Sequence, residues 1–88
     1  MDELGLAILA LLVFPESFEK IVDECPIDAG KHVIGDVLKQ LLHDEYVVPM
    51  LQDDTGAFKR SLGYDSDFLN DYHFQMTSKG MGVFEKKR

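Results

Sequence analysis

The chain has 88 residues, of which 45 % are hydrophobic and 28 % are charged, so the length suits one domain and the composition predicts a folded globular chain rather than a disordered one. The formal net charge of −7 at pH 7 opposes nucleic-acid binding unless cations are gathered on the contact face, because phosphates must be neutralised. Seven of the 16 acidic residues precede residue 29, where Lys20 is the only base, so the acid excess is mostly N-terminal.

The first predicted helix covers about residues 3–14 and is apolar on almost every side, as expected for a helix packed between others. Pro15 ends it, because proline disfavours a helical conformation in the residue before it. The apolar run follows Asp2 and Glu3 rather than basic residues, and it is shorter than the ~20 residues that cross a bilayer. We therefore expect a buried helix and no membrane partner.

The second predicted helix covers about residues 17–25, with Ser17 as a suitable N-cap and Pro26 closing it. Its apolar residues share one face: Phe18, Ile21, Val22 and Cys25. Cys25 is the only cysteine, which excludes an intramolecular disulfide and favours a reducing compartment. We therefore expect a cytoplasmic protein in which Cys25 serves core packing.

The third predicted helix covers about residues 29–43, with Asp28 as its expected N-cap. Its apolar residues lie on one side at helical spacing. The opposite side forms a polar stripe: His32, Asp36, Lys39 and His43. Only Pro26, Ile27 and Asp28 separate the second and third helices, a length that lets two helices cross at a steep angle.

The hydrophobic period then changes from about 3.6 to about 2, which predicts strands at about 46–51 and 72–77 that pair as an antiparallel hairpin. Pro49 suggests an edge position or an irregularity. Thr77 is a suitable cap for a short final helical segment from Ser78, which Gly80 and Gly82 weaken.

A long insertion, residues 52–71, separates the two predicted strands. It contains one turn signal at residues 53–56 and a second at Leu62-Gly63. Several of its residues are apolar, and a structureless loop of this length is unusual in a compact domain. The insertion either folds back over the core or buries against a second subunit.

The order of helix, helix, tight turn, helix, strand, hairpin and strand is that of winged helix-turn-helix domains. The residues from Ser17 to Val47 resemble the second and third helices of bacterial and archaeal regulators of the MarR and PadR kind. The ending Phe74-Gln-Met-Thr-Ser-Lys-Gly80 is similar to the aromatic-x-Leu-Thr-x-Lys-Gly ending of their wing. The family often has glycine after the third helix, where a positive φ is needed; Asp44-Glu45 stands here, and Asp is the more tolerant of the two.

The resemblance implies an α+β, mainly α, fold over residues 1–88: a three-helix core, an antiparallel β-hairpin wing and a short C-terminal helical segment. It also implies a DNA-binding transcriptional regulator, with the third helix in the major groove and wing contacts to phosphate. The residues expected to contact double-stranded DNA are Lys31, His32, Lys39, Gln40 and His43 on the helix, with Lys59 and Arg60 at the wing tip.

Asp36 lies in the middle of this reading face and repels phosphate unless it pairs with His32 or Lys39. Regulators of this type usually dimerise to read two half-sites, so the resemblance also implies a homodimer. The candidate dimer surfaces are the first helix, the wing insertion and the C-terminal segment.

The alternative function is a protein-interaction module of the same fold, in which the acidic face of the second helix and the apolar wing meet a partner. His32 and Asp36 do not complete a metal-ligand set, and the aspartates of residues 53–71 lack the spacing of a calcium loop, so we expect no metal or other cofactor. The chain has no nucleophile elbow, phosphate-binding glycine loop or HExxH motif, so we do not expect an enzyme.

Overall fold

A computed structural model describes residues 1–86 of the chain; the last two residues of the predicted domain lie outside the described residues. Within residues 1–86 the predicted α+β class is confirmed, with four α-helices and one four-stranded antiparallel sheet of strand order β1-β4-β2-β3. In chain order the elements are α1 (Glu3–Ala10), β1 (Glu16–Ser17), α2 (Phe18–Glu24), α3 (Lys31–His43), β2 (Val47–Gln52), β3 (Phe58–Arg60), β4 (His73–Met76) and α4 (Ser78–Lys86), with a 3₁₀ turn at Leu69–Asp71.

The first helix is shorter than predicted. It ends at Ala10, so the extension to Phe14 is wrong. Its last turn tightens, and the Leu12 carbonyl then accepts a hydrogen bond from the Met76 N–H at 2.7 Å. The chain leaves the helix because β4 supplies this hydrogen bond and because Pro15 disfavours a helical residue before it.

The second helix follows the prediction closely. The Ser17 hydroxyl accepts a hydrogen bond from the Lys20 backbone N–H at 3.2 Å, which confirms Ser17 as the N-cap. Ser17 also belongs to β1, which pairs antiparallel with β4. This strand was not predicted, because two residues are too few to show an alternating pattern.

The third helix begins later than predicted. Asp28 is not its N-cap: the helix starts at Lys31, and Gly30 occupies the cap position with no side-chain hydrogen bond. Ala29, which precedes the helix, packs against the core. This tertiary packing outweighs the local capping preference of Asp28.

The end of α3 uses a residue in the left-handed region. Glu45, rather than Asp44, takes the positive φ, at 65°. The Glu45 N–H donates to the Leu42 carbonyl at 3.2 Å and the Tyr46 N–H donates to the Leu41 carbonyl at 3.0 Å. These two hydrogen bonds form a Schellman motif, which satisfies the last carbonyls of the helix.

The two predicted strands pair antiparallel, as expected, with Val47 opposite Met76 and Pro49 opposite Phe74. These four residues point to the core side of the sheet, where all of them are buried. The Pro49 carbonyl accepts from the Ser61 N–H at 2.9 Å, so the proline nitrogen also points away from β4. Pro49 therefore removes no hydrogen bond from the β2–β4 pairing.

The core lies between the helices α1, α2 and α3 and the inner face of the sheet. Its buried side chains are Ile8, Leu9, Leu12, Phe18, Ile21, Ile34, Leu38, Leu41, Leu42, Val47, Leu69, Phe74 and Met76. Cys25 is half-buried and packs against this cluster, which agrees with its predicted packing role.

The last helix is longer than the short segment predicted and reaches Lys86. The Thr77 hydroxyl accepts from the Gly80 N–H at 3.0 Å, which confirms Thr77 as its cap. A Cβ atom at Gly80 would lie 2.9 Å from Met76 Cγ and closer still to the Tyr46 carbonyl. The glycine therefore lets α4 approach the start of β2.

The predicted insertion contains β3 and a segment, residues 61–71, that we call the insertion segment. Its first residues share a cleft with Leu42 at the C-terminal end of α3. Further along, Leu69 is buried, and a Cβ atom at Gly35 of α3 would lie 3.7 Å from Leu69 Cδ1. The insertion segment thus runs back along α3. Leu69 and Tyr64 pack in or against the core, so for these residues the insertion folds back over the core, the first of the two predicted arrangements.

Candidate nucleic-acid interface

One face of α3 is open to solvent along the length of the helix. The opposite face buries Ile34, Leu38 and Leu41 in the core. Of the helix residues predicted to contact DNA, four are exposed and Lys39 is half-buried; the exposed ones are Lys31, His32, Gln40 and His43. The periodicity of the sequence therefore identified the exposed face correctly.

The acidic residue on this face has a basic neighbour. Asp36 is 79 % exposed, and its Oδ1 lies 4.0 Å from the Lys39 Nζ, one helical turn away. An exposed pair of this kind adds little stability. It does bring a positive charge beside the one carboxylate of α3.

Two other side chains of α3 make contacts that restrain them. The Gln40 amide donates to Asp44 Oδ2 at 3.1 Å. The Lys31 ammonium lies 5.8 Å from the centre of the Phe18 ring, within the range of a cation–π contact. Gln40 and Lys31 would have to loosen these contacts to reach a base edge or a phosphate.

A shallow groove of about 300 Å³ separates the N-terminal half of α3 from the insertion segment. Lys31, His32 and Lys39 line its helix side. Asp67 and Asn70 line the other side. The groove therefore brings an acidic residue close to the cations of α3.

The proximity of Asp67 to α3 could not be predicted from the sequence. The two are far apart in the chain, and an aspartate in a polar loop is an ordinary feature of a solvated turn. The one available signal was the apolar character of the insertion, which predicted folding back without specifying the surface that receives it.

The tip of the β2–β3 hairpin is acidic. Asp53 closes the turn: its Oδ1 accepts from the Thr55 hydroxyl at 2.6 Å, the Thr55 N–H at 2.9 Å and the Ala57 N–H at 3.0 Å. The hydrogen bond from the Thr55 hydroxyl is the main reason that the pKa of Asp53 lies below its usual value. Gly56 supplies the positive φ that the turn requires, at 88°.

Lys59 and Arg60 were predicted to lie at the wing tip, but they do not lie at the tip of the β2–β3 hairpin. They lie within β3, where Lys59 is opposite Leu51 and Arg60 is opposite Met50. Neighbouring residues of a strand point to opposite faces of the sheet. The predicted tip position is wrong because both residues belong to β3, a strand from Phe58 to Arg60 that was not predicted.

Several large apolar side chains are exposed outside α3. Phe14 is 73 % exposed in the link between α1 and β1, and Phe68 is 57 % exposed in the insertion segment. Leu62 is fully exposed just after β3. Isolated apolar residues on a surface are ordinary, but neighbouring ones point to contact with another molecule.

Among residues 1–86, no three His, Cys, Asp or Glu side chains are grouped in a way that could hold a metal ion. None of the helices in the same range combines the length and the apolar character that crossing a bilayer requires. Comparison of the chain with protein-family models, with curated proteins and with solved structures gives no significant match in any of the three.

Proposed function

We propose that this chain is a winged-helix domain that binds double-stranded DNA as a transcriptional regulator, with α3 entering the major groove. The order of its elements supports this proposal: three helices, the second and third joined by the short connection 25–30, precede an antiparallel hairpin. In such an arrangement α3 is the recognition helix and the β2–β3 hairpin is the wing.

One observation carries the proposal. The open face of α3 has polar side chains from its first turn to its last, with Val33 as an exposed apolar residue of the first turn, and its one carboxylate, Asp36, lies beside Lys39. His32 and Gln40 have the hydrogen-bonding groups that read base edges, while Lys31 and Lys39 have the charge that phosphates attract. Aspartates occupy the tip of the β2–β3 hairpin, so hairpin contacts to phosphate would come from Lys59 and Arg60 on the two faces of β3.

The proposal is tested by titrating a fluorescent duplex of random sequence with the protein at low salt and following anisotropy. We expect micromolar binding that weakens as salt rises. Lys39→Gln removes one cation and leaves Asp36 without its basic neighbour, so it should weaken binding severalfold and lower the salt slope by about one.

Lys86→Gln is the matched control, since Lys86 is an exposed cation at the end of α4 rather than on α3. It should leave binding near the wild-type value. If wild-type protein does not bind duplex DNA at low salt, or if the two glutamine variants lose affinity equally, the proposed role of α3 is wrong.

A second candidate function is a protein-interaction module of the same fold. The exposed Phe14, Leu62 and Phe68 side chains favour it, because DNA phosphates and base edges offer these residues little to contact. The same titration separates the two functions. A module that acts only through proteins shows no salt-dependent binding to duplex DNA.

We also propose that the chain forms a homodimer. Of the predicted surfaces, the C-terminal segment is the least available, because Met81 and Phe84 of α4 pack against the core of their own chain. The link after α1 and the insertion segment each expose a phenylalanine, Phe14 and Phe68 respectively.

A further inference from the structure

The outer edge of β3 is open. β3 is the last strand in the order β1-β4-β2-β3, and within residues 1–86 no strand pairs with its outer side. The Ser61 N–H donates to the Pro49 carbonyl, and the Asp53 N–H donates to the Ala57 carbonyl. At these two residue pairs, the backbone groups of the two segments therefore point toward each other. By the alternation of an antiparallel ladder, the N–H and C=O groups of Phe58 and Arg60 point outward from the sheet.

Two cations and two exposed leucines surround this edge, together with Asp53 of the hairpin turn. Lys59 and Arg60 are exposed on its two faces. Beside it, Leu51 and the fully exposed Leu62 line a shallow groove of about 500 Å³. The edge therefore offers an added strand backbone hydrogen bonds, one cation on each face of the sheet and an apolar groove.

A second copy of the chain is a poor occupant for this edge. Antiparallel pairing of β3 with its own symmetry mate about Lys59 places two lysines directly opposite each other, and like charges in that position are destabilising. Lysine on an edge strand is a common means of preventing self-pairing. The same two cations favour a strand of opposite charge.

We propose that β3 binds an extended peptide in which acidic and apolar residues alternate, as an added strand of the sheet. Its backbone pairs with Phe58 and Arg60. Because its alternate side chains fall on opposite faces of the sheet, its carboxylates lie on the face of Arg60, and its apolar side chains lie on the face of Lys59 and Leu51, over the groove that Leu62 also lines. Strand addition to an open sheet edge is a recurrent mode of peptide recognition. This site is separate from the open face of α3 and does not depend on DNA binding.

The probe is a synthetic peptide with three Glu-Val repeats and blocked ends, added to the ¹⁵N-labelled full chain and followed by two-dimensional NMR. We expect amide shift changes confined to residues 51 and 57–62, and slower hydrogen exchange at Phe58 and Arg60. A peptide with three Lys-Val repeats is the charge-reversed control and should produce no such changes.

Two variants of one residue separate strand pairing from simple charge attraction. Arg60→Ala removes the charge but keeps the outward N–H, whereas Arg60→Pro removes both; the lost N–H makes no hydrogen bond to β2, and proline is tolerated on edge strands. We expect Arg60→Pro to bind about fivefold more weakly than Arg60→Ala, the effect of losing one backbone hydrogen bond. The NMR spectrum of each free variant shows whether the sheet is intact.

Four outcomes would overturn the proposal. The alanine and proline variants could bind equally, or the shift changes could map to Phe14 or to α3. The Lys-Val peptide could reproduce the changes at β3. The protein could show protected Phe58 and Arg60 amides and a dimer mass without any peptide, which would assign the edge to a second copy.

Discussion

Asp67 lines the same groove beside α3 as Lys31 and Lys39, so its charge opposes the approach of a phosphate to these cations. Asp67→Asn removes this charge without changing the size of the side chain. At a separation of several ångströms through water, one charge changes an interaction by a few tenths of a kcal/mol. We therefore expect DNA binding at low salt to become about two- to threefold tighter, as measured by anisotropy.

Glu85→Gln removes an equivalent charge from α4 and is the control for this change, since Glu85 is exposed and lies outside the groove. It alters the net charge by the same amount but should leave affinity nearly unchanged. Equal gains from the two variants would mean that only the total charge matters, and that α3 is not the contact surface.

Thr55 controls the ionisation of Asp53 at the hairpin tip. Because its hydroxyl hydrogen-bonds the charged form, the pKa of Asp53 in the folded protein lies below the 3.8 of a free side chain. The ionised turn therefore adds stability above that pH, and this contribution is lost as the pH falls through the lower, folded-state value. Thr55→Val should move the carboxyl pKa of Asp53 upward, measured by ¹³C NMR titration.

Thr55→Ser keeps the hydroxyl and is the matched variant, so it should hold the pKa of Asp53 close to that of the wild type. If valine and serine give the same pKa, the threonine hydroxyl is not the cause of the shift, and the backbone N–H groups of the turn must account for it.

At the scale of elements, the junction of α3 and β2 contains an avoidable strain. Glu45 has a φ of 65°, a conformation that costs a non-glycine residue about 1–2 kcal/mol, whereas glycine adopts it with an entropic cost of about 0.5–1 kcal/mol. The backbone hydrogen bonds of the Schellman motif do not need the glutamate side chain. Glu45→Gly should therefore raise the free energy of unfolding by about 0.5–1 kcal/mol in urea titrations.

The neighbouring substitution Asp44→Gly should have the opposite sign. Asp44 has an ordinary φ of −83°, and its side chain accepts a hydrogen bond from Gln40. Glycine there gains no relief of strain and loses that hydrogen bond. A stabilising Asp44→Gly, or a destabilising Glu45→Gly, would contradict the assigned geometry of this junction.

The elements that local chemistry determines could be predicted from the sequence. Ser17 and Thr77 were identified as caps because their hydroxyls act within one helical turn. The pairing of β2 with β4 followed from two alternating segments. The errors arose where distant contacts decide: Leu12 bonds to β4 rather than continuing α1, and Ala29 packs in the core.

The candidate site likewise has features that could be predicted from the sequence and features that could not. The open face of α3 could be predicted, because helical spacing separates core from solvent within one element. Neither the position of Asp67 beside that face nor the displacement of Lys59 from the tip could be predicted. Both depend on how the insertion is routed, which the spacing of residues within a single segment does not encode.

For the whole molecule, which has a net charge of −7, we expect salt to act in opposite directions on the proposed homodimer and on the proposed DNA complex. Two copies of an acidic chain repel each other, and salt screens this repulsion over a Debye length of about 10 Å at 0.1 M. DNA binding, in contrast, releases counterions and weakens as salt rises. A rise in salt should therefore favour the dimer and disfavour the DNA complex.

We expect the dimer to form through Phe14, which is 73 % exposed and follows Val13, itself 44 % exposed, in the chain. Sedimentation velocity at tens of micromolar protein should show the dimer fraction increasing from about 50 mM to about 500 mM salt. Phe14→Ser should leave the chain monomeric throughout, whereas Phe68→Ser, the matched change in the insertion segment, should not. Wild-type protein that stays monomeric at high salt would exclude the dimer, and dissociation by Phe68→Ser alone would place the interface on the insertion segment.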